Sequence, residues 1–305
     1  LNSSRETTSF LGVRGSTAAI LLAAIFVWSY WPVLCELWQA WGREADYSHG
    51  YLVIPVALAF LWLRRGSCPS SQGGLSLGGI SLGGLVLLAA SSLVRLAGAL
   101  WYVEALQGWS MLLWLAGACW MLGGFAMLRF SATAIGFLAF MIPLPFRAEG
   151  LLSLPLQRIA THFSCWILQC LGQPAIAEGN VVVINDTRLM VAEACSGLRI
   201  FISILAMAYA FCALLDRPKW IKVGLVLSVL PITLVTNSLR IVATGLTHQY
   251  VSSNAAHLFA HDLAGWLMLP VAGLLMYAVV LYFARLVVEV ETVSARDLFR
   301  PSGPV

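Results

Sequence analysis

Charged side chains are scarce in this sequence: Asp, Glu, Lys and Arg make up 10% of its 305 residues. A soluble domain carries about 25%, so there is too little charge here to clothe a water-exposed surface. Paired cysteines are also missing. The seven thiols (Cys35, Cys68, Cys119, Cys165, Cys170, Cys195 and Cys212) contain no C-x-x-C, which argues against a zinc ribbon or a thioredoxin-like site. Their odd number and scattered positions are no disulfide framework, and Cys165 and Cys170 are poorly spaced on a helix to pair. There is no internal repeat, no low-complexity tract, and no A-x-A site closing the first apolar run, which begins near Thr17 and reads as a retained span. The net charge of +4 is not gathered on one soluble face, so no nucleic-acid partner is expected.

What is present is hydrocarbon. Hydrophobic residues reach 60% and the mean hydropathy is +0.84. Long apolar runs in such a chain are read as membrane helices, each needing about 20 residues to cross about 30 Å of lipid. Eight runs qualify as candidates, roughly 18–35, 50–63, 77–94, 105–127, 131–145, 196–215, 221–246 and 264–285, the second and fifth being short. The expected fold is therefore an all-α integral membrane protein, a single polytopic domain over 1–305. Basic residues orient it. With the N-terminus cytoplasmic, Arg5, Arg14, Arg64, Arg65, Arg129, Arg217, Lys219, Lys222, Arg285, Arg296 and Arg300 lie inside, against Arg43, Arg95, Arg147, Arg158 and Arg188 outside. The long segment 146–194 then lies on the outer face. Residues 151–171 read as an amphipathic helix in the interface, and 180–192 as two short strands turning at Asn185-Asp186. The Trp and Tyr residues of 28–51 read as an interfacial belt.

An ionisable residue inside a span is costly, by about 2.5–3.5 kcal/mol on insertion scales, and so marks function. Arg199 sits one turn into the sixth span. Arg240 sits in the seventh, roughly 9 Å below its outer exit at 1.5 Å per residue, with Asn237 on the same face. Cys195 immediately precedes the sixth span and His261 opens the eighth. In the assigned topology a thiol, a guanidinium and an imidazole come to one membrane depth. A helix N-terminus and a nearby cation favour the thiolate of Cys195. His261 is placed to take the thiol proton and return one to a leaving amine. The backbone N–H groups of Ser196 and Gly197, with Arg240, are candidate oxyanion donors. Taken singly, Cys195 also reads as an inert buried thiol, His261 as a water-facing histidine, and Arg199 as a snorkelling cation or a partner of Glu193. The His257/His261 pair has metal-ligand spacing without a third ligand, so no metal and no cofactor are expected.

Several motifs stand in order along the chain: Asp46-Tyr-Ser-His-Gly50, Ile142-Pro-Leu-Pro145, Glu178-Gly-Asn180, Ala194-Cys-Ser-Gly-Leu-Arg199, Asn237-Ser-Leu-Arg240 and His261-Asp-Leu-Ala-Gly-Trp266. With them the chain resembles the exosortase family of bacterial membrane proteins, related to the archaeosortases, over a core of about 46–286. The resemblance implies a cysteine protease or transpeptidase of the inner membrane, active at the periplasmic face. Cys195, Arg240 and His261 would be its catalytic residues, with Arg199, Asn237, Ser196, Gly197 and Asp262 in support. Its implied partners are the lipid bilayer, secreted proteins bearing a C-terminal sorting signal (a Pro-Glu-Pro-type motif, one transmembrane helix and a basic tail), and an amine acceptor of unknown identity. The family's association with exopolysaccharide production leaves a different class of function in play, a transporter or export component in which Arg240 is an anion site.

Overall fold

A chain bathed in lipid must satisfy its backbone hydrogen bonds within itself, and helices do so segment by segment. The computed structural model describes residues 13–43, 47–69, 81–185, 187–191, 197–215, 217–250 and 264–286. Its helices are α1 (Val13–Arg43), α2 (Gly50–Leu63), α3 (Leu82–Leu100), α4 (Glu104–Leu138), α5 (Phe146–Cys170), α6 (Gly197–Leu214), α7 (Lys219–Tyr250) and α8 (Ala264–Leu286). Three strands, β1 (Ala175–Glu178), β2 (Val181–Ile184) and β3 (Thr187–Met190), follow α5. Among the described residues, six helices are long and apolar enough to cross a membrane; α2, at 14 residues, is a shorter apolar helix.

The fourth and fifth expected spans form one element, α4, which folds back on itself. Its helical dihedrals fail at Gly123 and at Gly124, where φ is +69° and ψ −169°. That left-handed, extended conformation is one that glycine adopts without strain. The arms 104–122 and 125–138 then run antiparallel. Cys119 and Ser131 lie beside each other across the bend. Trp109 and Ala139 line one shared groove, and a Cβ on Gly108 would stand 2.7 Å from Ile142.

Helix α1 is longer than its expected span and reaches Arg43. The aromatic belt expected there is only partly a belt. Trp28, Trp31 and Trp38 are exposed, but Tyr30, Trp41 and Tyr47 are buried to 4% exposure or less. Their polar ends find protein partners, which removes the reason to stay at the headgroups. The Tyr30 hydroxyl meets Ser91 Oγ at 2.8 Å and Ser110 Oγ at 3.1 Å, tying α1 to α3 and α4. Trp41 Nε1 donates to the Met141 carbonyl at 2.9 Å. The Leu144 N–H donates to the Tyr47 hydroxyl at 3.1 Å, and His49 Nε2 donates to the Phe140 carbonyl at 2.9 Å. The Tyr-Ser-His segment thus clamps the turn that ends α4 in Ile142-Pro-Leu-Pro145.

The amphipathicity of α5 is reversed relative to a helix lying on water. Gln157, Thr161 and Ser164 are buried, while Leu151, Ile159, Phe163 and Trp166 are exposed. The polar face turns inward onto α7, where Ser164 Oγ donates to the Ser238 carbonyl at 3.3 Å. The strands make an antiparallel sheet in the order β1-β2-β3, with Ile184 opposite Thr187 across Asn185 and Asp186. Ala175, Val182, Ile184 and Leu189 of the sheet, Leu168 of α5 and Ile241 and Val242 of α7 share one core. A second core joins α1, α2, α4 and α6, and a third joins α6, α7 and α8.

Charge divides along the bundle. Arg64 donates to Thr133 on α4, and Tyr209 of α6 donates to the Thr133 carbonyl. Arg217 shares a small cavity with Ala284, beside Arg285. Arg64, Arg65, Arg129, Arg217, Lys219, Lys222 and Arg285 thereby collect at one end, with no acidic residue among the described residues there. Glu36, Glu104, Glu149 and Glu178 belong to the other end, where they are mixed with Arg43, Arg95, Arg147, Arg158 and Arg188.

Candidate functional site

The end of mixed charge is where α6 begins, α8 begins and α7 passes between them. Helices α6 and α7 run antiparallel: the Cys212 thiol meets the Lys222 carbonyl at 3.6 Å near the basic end, and Gly197 faces Asn237 at the other. Helix α8 runs antiparallel to α7, with Gly224 against Phe283 and Ser228 Oγ 3.8 Å from Met276 Sδ. Carrying that register along helices that rise 1.5 Å per residue brings the first turn of α8 level with Arg240.

Gly197 is buried where α6 starts against α5 and α7. A Cβ there would lie 3.2 Å from Asn237 Nδ2 and 3.7 Å from Leu156 Cβ. Asn237 is 1% exposed and Arg240 7%. Arg199, the third residue of α6, is half-buried. Helix α7 does not end near Arg240: it continues to Tyr250, about 15 Å further at 1.5 Å per residue. The helix itself thus runs past the apolar span, which ends at Thr247. The extra turns are stabilised by protein contacts. Ile184 and Leu189 of the sheet and Leu168 of α5 pack over Gly245, and Gln173 Nε2 donates to the Tyr250 hydroxyl at 2.7 Å. Arg240 thus lies beneath a cap made by α5 and the sheet.

Around Arg240 the helix is polar yet buried. Thr236, Asn237 and Thr244 are 1% exposed or less. Among the described residues, neither the Thr236 and Thr244 hydroxyls nor either amide atom of Asn237 has a hydrogen-bond partner. Nearby, Asn180 Nδ2 donates to Gln157 Oε1 at 3.0 Å, and the Val191 N–H donates to the Asn180 carbonyl at 3.0 Å. This joins the β1–β2 turn to α5 one residue from Leu156. It also fixes the end of β3, four residues before Cys195 in the chain.

Of the expected site residues, the structure brings Gly197, Asn237 and Arg240 to one level, with Arg199 on the first turn of α6. Cys195, Ser196, His261, Asp262 and His257 lie outside the described residues. The six described cysteines are free. Cys165 is packed in the α5–sheet core, and burial pushes its thiol up, so it remains protonated and serves as an apolar side chain. Among the described residues no three His, Cys, Asp or Glu side chains gather as a metal site. A groove of about 490 Å³ opens at the same end between α1 and residues 142–147, but none of the expected site residues lines it. Sequence reading missed Gln157, Thr236 and Thr244 as part of the site. A polar residue on an apolar helix was the available signal, but which way each faces depends on tertiary packing.

The chain has no match among curated proteins and none among solved structures. A family model described as transmembrane exosortase (Exosortase_EpsH) matches residues 41–278. That stretch runs from Trp41 through the Tyr47–His49 clamp, the capped Arg240 and most of α8. The match covers most of the sequence of a multi-pass helical membrane protein, and the chain belongs to the transmembrane exosortase family.

Proposed function

We propose that the chain is a membrane-embedded cysteine peptidase or transpeptidase that acts on the C-terminal sorting signal of secreted proteins. The observation that carries this is a buried guanidinium, Arg240, one helical turn from Asn237, which faces Gly197 at the start of α6. Cys195 stands two residues before Gly197 in the chain, and this supports assigning its thiol to the same site. The site faces the end of mixed charge. By the positive-inside rule the basic end is cytoplasmic, both termini are cytoplasmic, and the site opens at the periplasmic face of the inner membrane. With the two arms of α4 counted separately and α2 included, the bundle crosses eight times.

The reaction follows from the residues. His261 takes the thiol proton, and the Cys195 thiolate attacks the scissile carbonyl. The N–H groups of Ser196 and Gly197 with Arg240 hold the oxyanion as it forms. Collapse breaks the C–N bond; His261 returns the proton to the leaving amine, and a thioester remains on Cys195. An amine acceptor or water then attacks the thioester, releasing the product and restoring the thiol. Asp262 is placed in sequence to orient His261.

The test is processing in cells that hold a secreted protein with a Pro-Glu-Pro motif, a transmembrane helix and a basic tail. Cys195→Ala, Arg240→Ala and His261→Ala should each leave the precursor uncleaved while the protein still accumulates in the membrane. Hydroxylamine should trap an acyl group on the wild-type protein and none on Cys195→Ala. Normal cleavage by Cys195→Ala would overturn the assignment, and if export failed in the same cells it would favour the export-component reading of Arg240.

A further inference from the structure

The Asn237 carboxamide has a donor and an acceptor, both buried and both without a partner among the described residues. Burying such a group unpaired is unfavourable, and folded proteins rarely do it. The same helix shows that it is not forced here. Thr233 Oγ1 and Thr247 Oγ1 each donate to the carbonyl four residues back, at 2.7 Å. Thr161 and Ser164 do likewise on α5, at 2.7 and 2.6 Å. Thr236 and Thr244, on either side of Asn237 and Arg240, do not. Three such residues, Thr236, Asn237 and Thr244, thus fall within nine residues of α7 where it faces the start of α6, while Asn180 Oδ1 in the β1–β2 turn and Ser203 Oγ on α6 are the other buried unpaired side-chain oxygens among the described residues.

The geometry points to a main-chain clamp: Asn237 binds one peptide unit of the substrate, its Nδ2 donating to a substrate carbonyl and its Oδ1 accepting from a substrate N–H. This rests on the reading that a peptide is the substrate, and extends it by naming what holds the peptide. A carboxamide offers the same donor-acceptor pair as a peptide group, so it pairs with an extended chain whatever the side chains are. The neighbouring position makes room. Gly197 has no Cβ, and one there would sit 3.2 Å from Nδ2, so a larger residue two beyond Cys195 would crowd the amide. Asn237 here is a positioning residue; the chemistry stays with the groups named above.

The experiment measures binding separately from cleavage. A synthetic peptide carrying the Pro-Glu-Pro motif and its transmembrane helix is titrated against the Cys195→Ala protein in nanodiscs. A series of the same peptide has one backbone amide at a time replaced by an ester, which removes a single N–H. The clamp predicts one position at which the ester weakens binding about tenfold. In Cys195→Ala/Asn237→Ala that position should cost nothing further, while the other positions behave as before. Asn237→Leu, which roughly keeps the shape and removes the acceptor that the substrate N–H would meet, provides the same comparison if the alanine protein fails to fold. Ester costs that simply add to the Asn237 substitution at every position, or no peptide binding at all, would overturn the clamp. Failure of the wild-type protein to cleave a peptide that shows the coupled ester effect would sink the peptidase reading and leave the clamp standing.

Discussion

Tyr47 does two things that its position in the sequence does not announce. Its ring is buried at 2% exposure, and its hydroxyl accepts the Leu144 N–H at the proline-flanked turn after α4. Tyr47→Phe keeps the ring and strands that N–H, a loss of about 1–3 kcal/mol. The measurement is thermal unfolding in micelles together with hydrogen exchange at Leu144, which should speed up. An aromatic residue near a membrane surface fits a belt or a core equally well by composition, so Tyr30, Trp41 and Tyr47 were legible as aromatic but not as inward-facing. Arg240 was legible because a charge in a span is rare enough to stand out. Thr236 and Thr244 were not, since a threonine in a helix usually satisfies itself on the preceding turn.

At the scale of the element, length and hydropathy located the helices well, and the turns between them poorly. The run at 50–63 and the start of α6 fell close to expectation because apolar runs with polar flanks mark their own ends. The bend in α4 did not, because Gly123-Gly124 lies inside apolar sequence where glycine is common. Gly124→Ala places a side chain at φ +69° and should cost about 1–3 kcal/mol. It should also lengthen the distance between probes attached at positions 109 and 139, read by spin-label spectroscopy; an unchanged distance would show that the bend does not depend on Gly124. Helix α5 carries a similar lesson. Its polar and apolar stripes were visible, but periodicity gives two faces and not which of them meets the protein.

For the whole molecule, the segregation of basic residues predicts how it sits. Cys68 follows α2 at the basic end, and exposed Cys170 ends α5 beside the sheet. A membrane-impermeant maleimide should reach Cys170 from the periplasm of intact cells and Cys68 only from inverted vesicles. Burial raises the Cys68 thiol. Only the thiolate reacts, so its labelling should accelerate as pH is raised and stall as it is lowered. Labelling of Cys68 in intact cells would invert the assigned orientation. The inward-facing polar stripe of α5 also sets a schedule for biosynthesis. Gln157, Thr161 and Ser164 leave the ribosome long before Ser238 and the rest of α7 exist to receive them. Until that last third of the chain is made, α5 has no home for either face that suits both, and the translocating ribosome must carry it as an unfinished edge.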